Sequence, residues 1–380
     1  MPVMRLAYYV TPHGFGHAVR SIEIIRALRE RWPGVRITAV SDLPDFLFEE
    51  AHGGSIPQRR RRLDVGLVQR DSLRYDLPDT LTALDALFSR FDSLVREEAA
   101  FLRDGRFDGL VSDAGYLPFA AARLAGLPSV GVGNFTWDWI YETYAPEHPA
   151  FRPFIGRIRE EYAACGLFLR LPMWGGCDCF PNVEPVPLVA RRSRLDPAET
   201  RALLGIRPGQ KACLMGFTDF NPAHRAGDRL EALKDVLFFY KKPIRLSFAN
   251  ARRLDGLPLA YEDVVAAMDA VVTKPGYGIV ADCLAHGVPM LYCDRGAFRE
   301  YPVLVEVIER ELCARHVPAE ALREGAIGEA LEALWAMPPK RPSMPMDGAR
   351  VCARRIGREL GWEENEAEAG VPPRSHRSCS

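Results

Sequence analysis

Two histidines flank a Gly-x-Gly turn near the start of the chain, in the run Thr11-Pro12-His13-Gly14-Phe15-Gly16-His17. An imidazole titrates near neutral pH, so His13 or His17 can take a proton from a hydroxyl. Glycines at such a turn let a ligand approach the backbone, and the amide hydrogens of a helix start attract an anion or polar group. The competing role is structural, a histidine that caps the helix or satisfies a loop carbonyl. A second turn, Lys274-Pro275-Gly276-Tyr277-Gly278, follows another apolar run. Its bare amides suit a diphosphate with Lys274 as countercharge, although glycines also serve tight packing of helix on sheet. Asp113 ends the apolar run 109–112. There it can orient a histidine, hold an acceptor hydroxyl or cap the next helix. Glu300, in Phe298-Arg299-Glu300-Tyr301-Pro302, can accept hydrogen bonds from sugar hydroxyls or sit as an acid at a helix start. The aromatic run from Asn134 through Trp137 to Trp139 suits a sugar-stacking wall, or packing between domains.

The elements that must position these groups follow from the hydrophobic pattern. Short apolar runs alternate with amphipathic stretches, the signature of parallel sheets with crossover helices. In the first half, strands are predicted at 6–10, 35–40, 109–112 and 129–133, with helices at 17–31, 80–103 and 119–125. In the second half, strands are predicted at 211–217, 244–248, 270–273 and 289–293, with helices at 228–239, 262–268 and 277–286. This is an α/β chain of two doubly wound parallel-sheet domains facing across a cleft, and 380 residues accommodate two domains. The Pro-containing stretch 180–194 reads as the linker. The expected units are 1–188, 189–345, a basic helix over 346–362 that packs back on the first domain, and a disordered Glu-, Ser- and Pro-rich tail over 363–380.

Composition excludes several classes of function. With 49 Lys and Arg against 50 Asp and Glu, the net charge of −1 argues against a nucleic-acid partner bound through bulk charge. The four arginines from Arg59 to Arg62 read as a solvated face or a phosphate contact. Apolar runs are of strand length, too short to cross a bilayer. Nine cysteines lacking any paired framework point to reduced thiols and a cytoplasmic setting, and Cys177-Asp178-Cys179 is too sparse for a zinc site. The basic helix around Arg350 to Arg358 offers an alternative, peripheral contact with the inner membrane face.

At these motifs the chain resembles the GT-B glycosyltransferases, the class with two Rossmann-like domains, and within it the family 28 enzymes. It is more similar still to the glycosyltransferase-like N-terminal region of plant L-arabinokinases and free-standing bacterial relatives. The matching residues are the start from Tyr8 to Arg20, the segment from Asn134 to Tyr141, the Gly276 to Gly278 turn and the acidic-Pro motif at Glu300 to Pro302. The Pro-x-x-x-Gly-Leu-x-Ser-Ser-Ala loop of small-metabolite kinases does not occur in the chain, so sugar kinase activity is not implied. Gly216-Phe217-Thr218-Asp219 stands where many family 28 enzymes have a Gly-Gly turn.

The resemblance implies transfer of a hexosyl or pentosyl unit from a nucleotide-diphosphate sugar, a UDP-sugar by preference. The acceptor is a small-molecule or lipid-linked hydroxyl or amine, and inversion without a metal or other cofactor is expected. His17, or failing it His13, would be the base, oriented by Asp113. Phe217, Thr218, Lys274, Gly276, Tyr277, Gly278 and Glu300 would bind the donor, and Gly14, Phe15, Gly16, Asn134 and Trp137 the acceptor. The rival readings are a nucleotide-sugar epimerase or hydrolase on the same fold, and a non-catalytic nucleotide-sugar-binding module. Oligomeric state is left open.

Overall fold

The computed structural model describes residues 3–49, 54–69, 74–217 and 226–362. Two parallel sheets dominate it. The first holds β1 (Arg5–Val10), β2 (Arg36–Val40), β3 (Gln58–Arg59), β6 (Gly109–Asp113), β7 (Ser129–Phe135), β8 (Leu167–Gly175) and β9 (Val183–Pro185). Between β3 and β6 in sequence, β4 (Val68–Gln69) and β5 (Tyr75–Asp76) form a separate antiparallel pair. The second sheet holds β10 (Lys211–Gly216), β11 (Val236–Tyr240), β12 (Ala251–Arg253), β13 (Ala270–Thr273), β14 (Met290–Tyr292) and β15 (Ala314–His316).

Strand order decides where ligands can bind. The first sheet runs β3-β2-β1-β6-β7-β8-β9 and the second β12-β11-β10-β13-β14-β15. Each order reverses once, between β1 and β6 and between β10 and β13. In a doubly wound sheet the crossovers part at that reversal and leave a crevice beyond the carboxyl ends of the two strands. Val10 pairs beside Asp113 at the first reversal, and Gly216 beside Thr273 at the second. The two Gly-rich turns leave the sheets at these two places, after β1 and β13, whereas Asn134 lies at the end of β7 and Glu300 beyond β14.

Strands buried on both faces read as continuous apolar runs, and β1, β6, β7 and β13 are buried along nearly their whole length. The helix Phe15–Arg31 is buried on several sides, through Ala18, Ile24, Ile25 and Leu28. It lies between its own sheet and the helices Tyr277–His286 and Gly348–Glu359. The Gly348–Glu359 helix docks on the first domain, with Gly357 pressed against the Trp32 ring and Trp362 edge-on to Trp32 at 5.3 Å. Arg355 Nε donates to both carboxylate oxygens of Glu184 at 2.7 and 2.8 Å. No helix among the described residues is long and apolar enough to cross a membrane.

Several elements differ from the expected ones. The predicted helix 228–239 is a short helix, Ala226–Glu231, followed by the strand β11. Val-Leu-Phe-Phe-Tyr is β-branched and aromatic, and a short apolar run of this kind carries no period that separates strand from helix. The predicted strand 244–248 contributes Ile244, Leu246 and Phe248 to the core without joining a sheet. The long helix 80–103 is two, Leu77–Phe88 and Phe91–Asp104. The run Leu167–Gly175 adds a strand that the hydrophobic pattern does not predict. Within the stretch 180–194, β9 extends the first sheet, and Val186, Leu188 and Val189 are buried. Residues 363–380, predicted as a disordered tail, lie outside the described residues.

Candidate functional site

The site is built at the first sheet's reversal. Gly14 adopts φ 128°, a conformation only glycine takes without strain, and serves as N-cap of the helix that places His17 in its first turn. From β6, the Asp113 carboxylate accepts from four groups. His17 Nδ1 lies 2.8 Å from Oδ1, Arg20 Nη2 donates to Oδ1 at 2.6 Å, and Arg20 Nε and Ser21 Oγ donate to Oδ2 at 2.7 and 3.0 Å. His17, Arg20 and Ser21 are spaced i, i+3, i+4 and share one helix face. Burial alone would raise the Asp113 pKa, but the Arg20 charge, then His17 and their hydrogen bonds, hold it well below the usual carboxylate range.

This carboxylate fixes the histidine. An ionised carboxylate only accepts, so Nδ1 carries the imidazole proton and Nε2 is left as the acceptor. Arg20 Nη2 also approaches Nδ1, at 3.0 Å, but its contact with Asp113 is shorter. Among the described residues Nε2 has no hydrogen-bond partner, and the His17 side chain retains 10% exposure. A base with an unprotonated Nε2, a buried carboxylate behind it and limited access to water is what removal of an acceptor proton calls for.

His13 has a different environment. Its ring stands edge-on to Trp137 at 4.9 Å and covers Gly66, where a Cβ would come within 2.4 Å of ring carbons. Nε2 faces Asp64 at 3.8 Å. Burial, reinforced by the charges of Arg62 and His17, lowers the His13 pKa to about 3. So weak a base is poorly matched to proton transfer at neutral pH. The shift has a consequence for stability: unfolded His13 titrates near 6.5 and folded His13 near 3, so falling pH protonates the unfolded chain first. Stability is therefore lost across that window, by up to about 1.4 kcal/mol per pH unit. Asp64, raised by its burial, acts in the opposite direction at the acid end. His13→Gln is expected to flatten the decline between about pH 6.5 and pH 3 relative to wild type, read from urea midpoints; parallel declines would contradict this environment.

The second reversal supplies the other turn. Lys274, Gly276 and Gly278 are half-buried, while Pro275 and Tyr277 are buried. Gly278 faces Gly16 across the domain boundary, so close that a Cβ on Gly278 would lie 3.1 Å from the Gly16 Cα. The two Gly-rich helix starts are thus brought together. Thr273 Oγ1 donates to the Gly216 carbonyl and ties β13 to the end of β10. Phe217 is half-buried beyond that end, and Thr218 lies outside the described residues. Tyr277 does not face the turn's ligand side: its ring is 6% exposed and packs against the Arg20 guanidinium, 4.9 Å from the ring centre.

Trp137, Asn134 and Glu300 also lie elsewhere than a cleft wall. Trp137 is 2% exposed, packed among His13, Phe135 and Tyr141, because the helix Trp137–Glu142 turns its ring inward. Asn134 is fully buried, and it binds Glu300, which is 3% exposed. Phe15 is exposed and meets Phe46 edge-on at 6.2 Å, with Gly14 open beside it. Arg20, Ser21 and Arg295 were not among the expected site residues; the i, i+3, i+4 spacing from His17 is the signal that would have found the first two. Among the described residues no cluster of three or more His, Cys, Asp or Glu could hold a metal ion.

No protein-family model matches the chain. It is 31% identical over 343 residues to L-arabinokinase of Arabidopsis thaliana, covering 88% of this chain and 32% of that protein. The chain therefore spans about a third of the length of this curated relative. Among solved structures, the calicheamicin glycosyltransferase superposes with TM-score 0.60 at 18% identity, over 95% of this chain and 94% of that one. A UDP-glucosyltransferase from Polygonum tinctorium, capable of glucosylating indoxyl, gives 0.60 at 13% identity over 95% and 99%. The glycosyltransferase VinC, in complex with dTDP, gives 0.55 at 16% identity over 94% and 95%. The chain has the GT-B glycosyltransferase fold, and most of its length is similar in sequence to one part of L-arabinokinase.

Proposed function

We propose that this protein transfers a sugar from a nucleotide-diphosphate donor to an acceptor hydroxyl or amine bound between its two sheets. The observation that carries this reading is the His17–Asp113 pair at one sheet reversal, set directly across from the Gly276 to Gly278 turn at the other. Proteins of this fold include a UDP-glucosyltransferase and an enzyme bound to dTDP, which supports a pyrimidine nucleotide donor, UDP-sugar by preference.

His17 Nε2 takes the acceptor proton while Asp113 holds the imidazole and stabilises its positive charge. The acceptor oxygen or nitrogen forms its bond to the anomeric carbon. The bond from that carbon to the diphosphate oxygen breaks, and the electron pair leaves with the nucleoside diphosphate. Attack opposite the leaving group inverts the anomeric centre. Amides of the Gly276 to Gly278 turn, with Lys274 beside them, receive the developing phosphate charge. The scheme calls on no metal ion. Glu300, its two oxygens held by Asn134 and Arg295, braces the site from behind rather than meeting the donor sugar. Phe15 and Gly14, at the open end of the first helix, line the approach for a small-molecule or lipid-linked acceptor.

A thermal-shift series with UDP, dTDP, ADP and GDP tests the donor site. At a ligand concentration ~100 times its dissociation constant, the matching nucleotide is expected to add about 2.7 kcal/mol of stability. Indifference to all four would overturn the donor assignment.

A further inference from the structure

Asn134 joins the two halves of the site through the only orientation its amide can take. Arg20 Nη1 donates to Asn134 Oδ1 at 2.6 Å, and Asn134 Nδ2 donates to Glu300 Oε1 at 2.7 Å and to the Met173 carbonyl at 3.1 Å. A flipped amide would set its NH2 against a guanidinium and its oxygen against a carboxylate. Only a neutral side chain carrying both an acceptor and a donor can lie between that cation and that anion. Glu300 Oε2 in turn accepts from Arg295 Nη1 at 2.8 Å. With Asp113 and Asn134 fully buried, Arg20 2% exposed and Glu300 3%, the chain of contacts is screened very little by water.

Backbone irregularities at this spot aim the amide. The β7–β8 register shifts between Gly133 and Phe135, a bulge that re-aims the side chain between them. Opposite, Met173 adopts φ 58°, costly for a residue with a Cβ, and its carbonyl is the one that Asn134 binds.

We propose that Asn134 is a positioning residue that couples Glu300 of the second domain, through Arg20, to the His17–Asp113 base of the first, so that the charge of the second domain tunes the base. This inference rests on the proposed catalytic role of His17. The charged and titratable groups around His17 are Asp113, Arg20, His13 and Asp64 from the first domain. Those around Glu300 are Arg295, Arg20 and Tyr75.

The test is the pH midpoint of the His17 imidazole C2–H signal by proton NMR, which needs no substrate. Glu300→Gln removes a negative charge from the Arg20 end and is expected to shift the midpoint down by about half a unit or more. Asn134→Asp places a negative charge against Arg20 and is expected to shift it up. Asn134→Ala separates Glu300 from Arg20 and should follow Glu300→Gln, with turnover reduced at least about tenfold and nucleotide affinity unchanged. A residue serving stability alone would lower Tm without opposite shifts from the two charge changes. Midpoints that coincide with wild type in Glu300→Gln and Asn134→Asp overturn the proposal. Failure of the donor reading would appear separately, as nucleotide indifference with the opposite midpoint shifts intact.

Discussion

Replacing His17 by alanine is expected to lower turnover by about 10²–10⁴-fold while leaving nucleotide affinity unchanged, the range typical of a lost general base. The reasoning is geometric. His17 belongs to the first domain, on the helix that follows β1, and the Gly276 to Gly278 turn proposed for the diphosphate belongs to the second, so the substitution removes proton transfer and leaves that turn's amides in place. That loss corresponds to about 3–5 kcal/mol of barrier, at 1.36 kcal/mol per tenfold. Single-turnover rates with saturating donor separate this loss from any change in binding. Full turnover in the alanine variant would remove His17 from the mechanism.

The second large effect concerns Asp113, and it falls on stability before activity. Asp113 compensates the buried Arg20 guanidinium by accepting two hydrogen bonds from it, from Nε and Nη2. Asp113→Asn keeps the shape and one acceptor oxygen but removes the charge, leaving Arg20 with neutral oxygens and the weaker field of Glu300. Breaking one partner of a buried pair costs about 3–5 kcal/mol. An asparagine amide turned to donate to His17 Nδ1 would also force the imidazole proton onto Nε2, where it blocks acceptance from the acceptor. Urea unfolding at pH 7 checks the first effect. The double variant Arg20→Met, Asp113→Leu checks its cause, because removing both charges should restore most of the stability while turnover stays lost. Wild-type stability in Asp113→Asn would mean that Arg20 is not held as described. The pH sign follows from the depressed Asp113 pKa: its contribution is present above the ordinary carboxylate range and fades as pH falls toward the lower folded value.

Much of this arrangement is legible in the sequence, and for a definite reason. A buried parallel strand is a run of apolar residues, and the turn that follows it must carry glycine or a polar cap, so strand, turn and helix start are marked together. That is why the Gly14 to His17 turn, Asp113 and the Gly276 to Gly278 turn could be assigned to strand ends, and why two sheets with a cleft between them were expected. The remainder depends on contacts between residues distant in sequence. Asn134 and Glu300 are 166 residues apart, and no local pattern links them. Trp137 is as consistent with a ligand wall as with a core, and what decides is its helix turning the ring toward His13 and Tyr141. The two histidines of one motif are chemically alike in sequence. The Arg20-clamped carboxylate beside one, and the deep burial of the other near the Arg62 charge, separate them.

The rival readings differ from transfer in what happens without an acceptor. An epimerase or hydrolase consumes the donor alone, and a binding module consumes nothing. The most direct measurement therefore follows the donor's anomeric proton by NMR, using the nucleotide sugar selected by the stability screen, with and without a panel of hydroxyl and amine acceptors. Release of nucleoside diphosphate only when acceptor is present, matched mole for mole by a glycosylated product of inverted anomeric configuration, is the predicted result. Donor breakdown or epimerisation at the same rate in the absence of acceptor would contradict the account.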